Sequence, residues 1–226
     1  MIADWYDATS TLVSFSRTSE RPLEEVANFQ QVLVRLISVL SALCMTELQV
    51  IDEEVGSRSL RFRFEVLELE ELDADCRDAI RDAEQKVEFV FQMVQSLVVD
   101  SHRSGVLSIA PPLLTRAFQE LGIALTTFHE AKIIACEPLP YAYGLITVII
   151  LALQAALVPF MIATFATGLV SSFIFAFLGT FLVCLVNMFA DALDNPFRKE
   201  ANTLDLSGAQ RELNDYLIQM LENAHR

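Results

Sequence analysis

Apolar residues recur at three- and four-residue steps through Val26, Phe29, Val32, Leu33, Leu36, Ile37, Leu40, Leu43 and Leu48. This spacing predicts a helix over roughly 23–55 with a wide apolar stripe and a thin polar face. Pro22 suits its first turn and Gly56 its stop. Its middle, 32–45, is apolar, but it holds Arg35 and is shorter than the ~20 residues a membrane span needs. A buried helix is therefore expected there. Residues 58–73 alternate at first, with Leu60, Phe62, Phe64 and Val66, as a short strand or a linker laid on its neighbours would. An acidic run over 68–75 reads as a solvated turn, with Asp73 or Asp75 as the cap of the next helix. That helix is expected over 76–102, with Ile80, Val87, Phe91, Val94, Leu97 and Val98 on one face and Gly105 beyond its end. Pro111-Pro112 forces a break. A further helix follows over 113–135, with Leu114, Phe118, Leu121, Leu125 and Phe128 in register.

The pattern then changes. From Pro138 to Ala190 there is no Asp, Glu, Lys or Arg. Residues 141–167 are long enough to cross ~30 Å of hydrocarbon at 1.5 Å per residue. Tyr141 and Tyr143 stand at the start, where aromatic residues favour the interface, and Pro159 is expected to kink the span. Residues 168–172 form a short uncharged turn and 173–190 return. Two spans joined so briefly make an antiparallel hairpin. Lys132 precedes it, Arg198 and Lys199 follow it, and the turn carries no cation. The positive-inside rule puts both flanks on the cytosolic side. After Asn195-Pro196 a last amphipathic helix is expected from Ser207, whose spacing to Gln210 suits a capping box. Ala209, Leu213, Tyr216, Leu217, Met220 and Leu221 give it a stripe that needs a docking surface. The chain is thus all-α: a cytosolic helical region over 1–137, a hairpin over 138–193 with spans about 143–167 and 173–190, and a cytosolic tail over 194–226.

Composition sharpens this division. The chain has 226 residues, 53% of them hydrophobic, and a mean hydropathy of +0.41. Its 16 basic and 30 acidic side chains all lie outside the hairpin window and give a formal net charge of −14. No basic stripe exists for a nucleic-acid backbone, and an acidic surface does not dock on anionic lipid. Anchoring therefore falls to the hairpin. Residues 1–17 hold Asp4 and Asp7 and no sustained apolar run, so no cleavable signal is expected there. Targeting is expected to rest on an internal span or on an upstream segment. Cys44, Cys76, Cys136 and Cys184 show no metal-ligand spacing, and His102, His129 and His225 are scattered. No cofactor is expected. No nucleophile elbow, phosphate loop or paired intramembrane carboxylate points to an enzyme. Gln154 and Asn187, the polar side chains deep in the two spans, suit interhelical hydrogen bonds.

Three ordered stretches resemble the bestrophin-like chloride channels of bacteria, plants and algae. Asp194 to Leu206, DNPFRKEANTLDL, is similar to the family's post-membrane signature through Asn195, Pro196, Phe197 and Glu200. Cys136 to Leu145, CEPLPYAYGL, is similar to its proline-broken approach to a membrane helix through Pro138 and Pro140. Gly105 to Arg116, GVLSIAPPLLTR, resembles the loop that opens a cytosolic helix at Pro112. The resemblance implies an all-helical subunit of a pentamer around one pore, conducting chloride or other small anions passively. It also implies that Leu113 lines an aperture at the cytosolic end, where a ring of leucines would gate by dewetting; ordinary helix packing is the alternative for this residue.

Two departures from the family pattern matter. Animal members hold calcium in the segment after Asn-Pro-Phe, whereas Glu200 here stands beside Arg198 and Lys199, and calcium wants several oxygen ligands. Asp4-Trp5-Tyr6-Asp7 resembles the aromatic motif that follows the family's second membrane helix, with Asp4 in the usual place of arginine. Two membrane helices and the neck are then expected upstream, in an incomplete chain or lost from a shortened paralogue. A non-conducting accessory subunit of a larger membrane complex is the alternative function. The resemblance leaves plasma membrane and thylakoid both open.

Overall fold

The structure, a computed structural model, describes residues 1–49, 64–68, 73–136, 141–165, 168–194, 196–197 and 204–224, the side chains of Tyr141 and of 191–194 excepted. All regular structure among the described residues is helical, in the order α1 (Ile2–Ser16), α2 (Leu23–Gln49), α3 (Ala74–Asp82), α4 (Lys86–Ser104), α5 (Pro111–Cys136), α6 (Tyr141–Phe165), α7 (Leu169–Asp194) and α8 (Leu206–Ala224). The chain divides into two compact units. One comprises 1–133 with 199–226; the other is 134–198, so the cut falls inside α5.

In the first unit α2 is the central element. It packs against α1, α4 and α8, and α1 also meets α8. Among the described residues three helices are long and apolar enough to cross a membrane, but α2 differs from α6 and α7 in being largely buried within its own chain. Leu33, Val34, Leu36, Ile37, Val39, Leu40, Leu43 and Met45 are all in the core. Each such side chain contributes ~1.5–3 kcal/mol on leaving water. Trp5 of α1 is fully buried with Phe91 of α4, ring centroids 6.3 Å apart. The link from α1 to α2 is pinned to the end of α4: Arg21 Nε donates to Ser104 O at 2.7 Å, and Ser19 Oγ to Gly105 O at 3.2 Å. A cation there also suits the helix C-terminus. Gly105 takes φ +86, the left-handed conformation that lets α4 stop.

α8 is held by hydrogen bonds as well as by apolar contact. Asn214 Nδ2 donates to Glu65 O at 2.9 Å, and Ser38 Oγ donates to Asn214 Oδ1 at 2.8 Å. Gln210 Nε2 reaches Ser38 O at 3.1 Å, and Leu67 N donates to Ser38 Oγ at 3.1 Å. One buried network thereby joins α2, the irregular segment 64–68 and α8. Gln210 is therefore a core residue and not the return arm of a capping box. The cap is Asp205, whose Oδ1 accepts from Gly208 N at 2.9 Å. A side chain at position 208 would collide with that carboxylate.

Other boundaries also move. The helix expected over 76–102 is two, α3 and α4, because Ala83 adopts extended backbone at ψ 131°. Asp73 sits at the N-cap of α3 but makes no side-chain cap bond. Phe64 is buried and Val66 lies in irregular chain, with no strand among the described residues; Leu60, Phe62 and Gly56 lie outside them.

The second unit is the hairpin, with α6 packed against α7. The rest of its surface is exposed leucine, isoleucine and phenylalanine, as lipid requires. α6 continues through Pro159, whose missing N–H leaves a carbonyl one turn earlier to other donors. α7 opens at Leu169, so the residues expected to form the turn are its first helical turn. Ser172 N and the Ser172 hydroxyl donate to Gly168 O at 2.9 and 2.8 Å, and the Ser171 hydroxyl does so at 2.8 Å. The two hydroxyls back-bond to a carbonyl one turn earlier, which keeps them paired in an apolar helix. Gly179 faces Val158 of α6, and a Cβ placed there would lie 3.5 Å from Val158 Cγ1.

Two stability predictions follow from these contacts. Asn214→Ala leaves the Ser38 hydroxyl and the Glu65 carbonyl short of a partner and should cost ~2 kcal/mol in chemical denaturation. Gly179→Ala should be near neutral. Gly179→Leu should lower stability by ~1–3 kcal/mol in detergent by overpacking the α6–α7 contact.

Candidate pore-lining site

α5 begins Pro111-Pro112-Leu113-Leu114. The two prolines occupy positions whose amides would have no helical partner, so they start the helix at no hydrogen-bonding cost. Leu113 N then donates to Ala110 O at 3.0 Å. Each residue turns the helix by about 100°, so adjacent leucines must face different ways. Leu114 turns inward, followed by Ala117, Leu121, Ala124 and Phe128, all buried. Leu113 is 55% exposed. Within this subunit it does not pack in the core. Arg116, three residues along, lies on the same face and is also exposed. The Leu-x-x-Arg spacing of 113 and 116 is the sequence signal for that pairing.

The far part of α5 is fastened to its neighbours. Lys132 Nζ lies 2.7 Å from Glu47 Oε2 of α2 and 5.6 Å from the centroid of the Phe128 ring. His129 Nε2 lies 3.8 Å from Glu88 Oε1 of α4. These groups surround the buried Cys44, whose thiol is pushed well up, first by burial and then by Glu47 and Glu88. Both causes favour the protonated thiol over the thiolate. The Cys76 thiol is raised by burial and then by Asp73. Among the described residues no group of three His, Cys, Asp or Glu could hold a metal.

Of the remaining motif residues, Pro112 is exposed in the first turn of α5, and Pro196 lies in a turn after α7 with Phe197 buried beside it. Pro138, Pro140, Asn195 and Glu200 lie outside the described residues, as do Arg198 and Lys199 of the flanking-charge argument. On α7, Phe173, Phe177 and Phe181 stack along one side with centroids 6.5 and 5.6 Å apart.

Comparison with known proteins agrees with this architecture. A family model for bacterial and fungal bestrophin proteins matches residues 4–218. Curated proteins give no significant match. Among solved structures, a mutant of a bacterial bestrophin homologue from Klebsiella pneumoniae superposes with a TM-score of 0.77 at 17% identity, covering 97% of this chain and 75% of that one. A second mutant of that homologue gives a TM-score of 0.75 at 18% identity, with 97% and 75% covered. At such identity the structural likeness establishes the fold, and the family match establishes kinship. An all-helical chain with a charge-free hairpin, matched by the family model over nearly its whole length, belongs to the bacterial/fungal bestrophin family.

Proposed function

We propose that this chain is a subunit of a bestrophin-type anion channel that passes chloride or other small anions without catalysing a reaction. The observation that carries this reading is Leu113. A large apolar side chain 55% exposed at the start of a long helix is unfavourable for an isolated subunit and useful where copies converge. In an oligomer, a pentamer by the family resemblance, the leucines form a constriction with an apolar rim. Arg116 on the same face supplies positive charge one turn further along α5. Such a pair gives dewetting and size control at one level and anion preference at the next. The net acidity of the chain does not oppose this, because the lining and not the total charge sets the field that a permeating ion meets.

The hairpin anchors the subunit. Both of its flanks lie on the cytosolic side by the positive-inside rule, which Lys132 before the spans and Arg198 and Lys199 after them support. Which membrane receives it is set by segments and signals other than these.

Two expectations follow. In proteoliposomes, Leu113→Ala should raise chloride efflux by roughly two- to tenfold, since a smaller ring is easier to wet. Arg116→Gln should reduce the preference for anions over cations without raising flux. Unchanged efflux and selectivity in both variants would remove α5 from the conduction path and leave an accessory, non-conducting role. Native mass spectrometry in mild detergent should show a single oligomer, five copies being the expectation.

A further inference from the structure

Among the described residues, three buried side-chain polar atoms have no hydrogen-bond partner in the chain: Trp5 Nε1, Ser41 Oγ and Gln210 Oε1. They come from α1, α2 and α8, three helices that each pack against the other two. All three residues are fully buried, and a polar atom buried without a partner is unfavourable. Trp5 also belongs to the Asp4-Trp5-Tyr6-Asp7 motif, which has no part in the proposed conduction path.

Contacts elsewhere on these helices bring the three atoms to one level of the bundle. A short link, 17–22, joins α1 to α2, so the packed pair is antiparallel. Gln30 Nε2 donates to Ser16 Oγ at 2.8 Å and fixes their register. Trp5 lies eleven positions before Ser16, and Ser41 lies eleven after Gln30. Eleven residues make about three turns, so the same two faces meet again with Trp5 opposite Ser41. On α8, Gln210 Nε2 donates to Ser38 O at 3.1 Å. A helix carbonyl points along the axis toward the turn that follows it, and here that turn carries Ser41. Gln210 Nε2 also reaches Glu65 O at 3.3 Å, which leaves Oε1 on the other edge of the carboxamide. Tyr6, beside Trp5, meets Tyr216 with ring centroids 5.7 Å apart, so α8 flanks this part of α1 as well.

We propose that one internal water is bound at this junction, held by Trp5, Ser41 and Gln210 together. The indole N–H can only donate, the carboxamide oxygen can only accept, and the serine hydroxyl does either. A water accepts from Trp5, donates to Gln210 and makes its third bond with Ser41. About three bonds is what buried waters ordinarily make. A chloride ion would satisfy Trp5 and Ser41 but would face the lone pairs of Gln210 Oε1. A cation would face the indole N–H. The site therefore selects a small neutral ligand that both donates and accepts. Bridging through such a water is nearly as favourable as direct hydrogen bonding, and it ties α1 to α2 and α8 at once. Trp5 is then a positioning residue for α1, whether or not the chain conducts ions.

The chain holds one tryptophan, so its indole can be read alone in the full chain in lipid vesicles. Ultraviolet resonance Raman reports whether the indole N–H is hydrogen-bonded. Proton-detected solid-state NMR reports magnetisation transfer from water to that N–H. Wild-type protein should show a hydrogen-bonded indole and transfer from water. Ser41→Ala should keep both, because Trp5 and Gln210 still hold the water. Ser41→Val puts methyl groups where the hydroxyl and the water sit, and should lose both with helix content by circular dichroism unchanged. Wild type and Ser41→Ala decide the matter even if Ser41→Val does not fold. The proposal is overturned by a free indole N–H or absent transfer in wild type, or by transfer that persists in folded Ser41→Val. It is overturned equally by loss of the indole hydrogen bond in Ser41→Ala, which would make Ser41 the direct acceptor.

Discussion

The burial of α2 is the constraint on which the rest of the bundle depends. It is apolar on nearly every side, and exposed to water it would aggregate. Exposed to lipid it would carry Arg35 into hydrocarbon, which costs at least ~2.5 kcal/mol near the bilayer centre. Surrounding it with α1, α4 and α8 resolves both difficulties. It also explains why polar side chains are placed where they are. Ser38 is paired through Asn214 and the backbone of 65–67, and Arg35 through Glu68. Removing one partner from such a network costs more than the bond itself, since the group left behind is buried.

The hairpin meets the opposite requirement with the opposite composition. Its outer surface is apolar because lipid is its solvent, and its inner contact uses small residues such as Gly179 against Val158. Association between helices in lipid gains little from apolar burial, so close approach and hydrogen bonds do the work. The Ser171 and Ser172 hydroxyls follow the same rule: each donates to the Gly168 carbonyl, so neither is left unpaired in an apolar medium.

How much of this the sequence revealed depends on the range of the interaction concerned. The hairpin was plain because the absence of charge over 138–190 is a local and extreme signal. The end of α4 at Gly105 and the start of α5 at the proline pair were equally local. Ser207-x-x-Gln210 fits a local cap, whereas Gln210's partners, Ser38 and Glu65, are more than a hundred positions away. The division of α3 from α4 rests on the non-helical stretch 83–85, with Ala83 extended and Gln85 also outside helical geometry, which apolar spacing does not mark. Leu113 and Leu114 are chemically identical neighbours, so only the tertiary arrangement decides which faces the core and which is left exposed. The Arg35–Glu68 pair was invisible for the same reason.

We propose that α2, although of membrane length, stays out of the bilayer while α6 and α7 enter it. Site-directed spin labelling in nanodiscs tests that most directly, with single labels at Gln31, an exposed position on α2, and at Phe177, an exposed position on α7. The Gln31 label should be relaxed by a water-soluble nickel reagent, and the Phe177 label by oxygen dissolved in the lipid. A Gln31 label that instead reports hydrocarbon depth would make α2 a membrane span and contradict the two-solvent architecture described above.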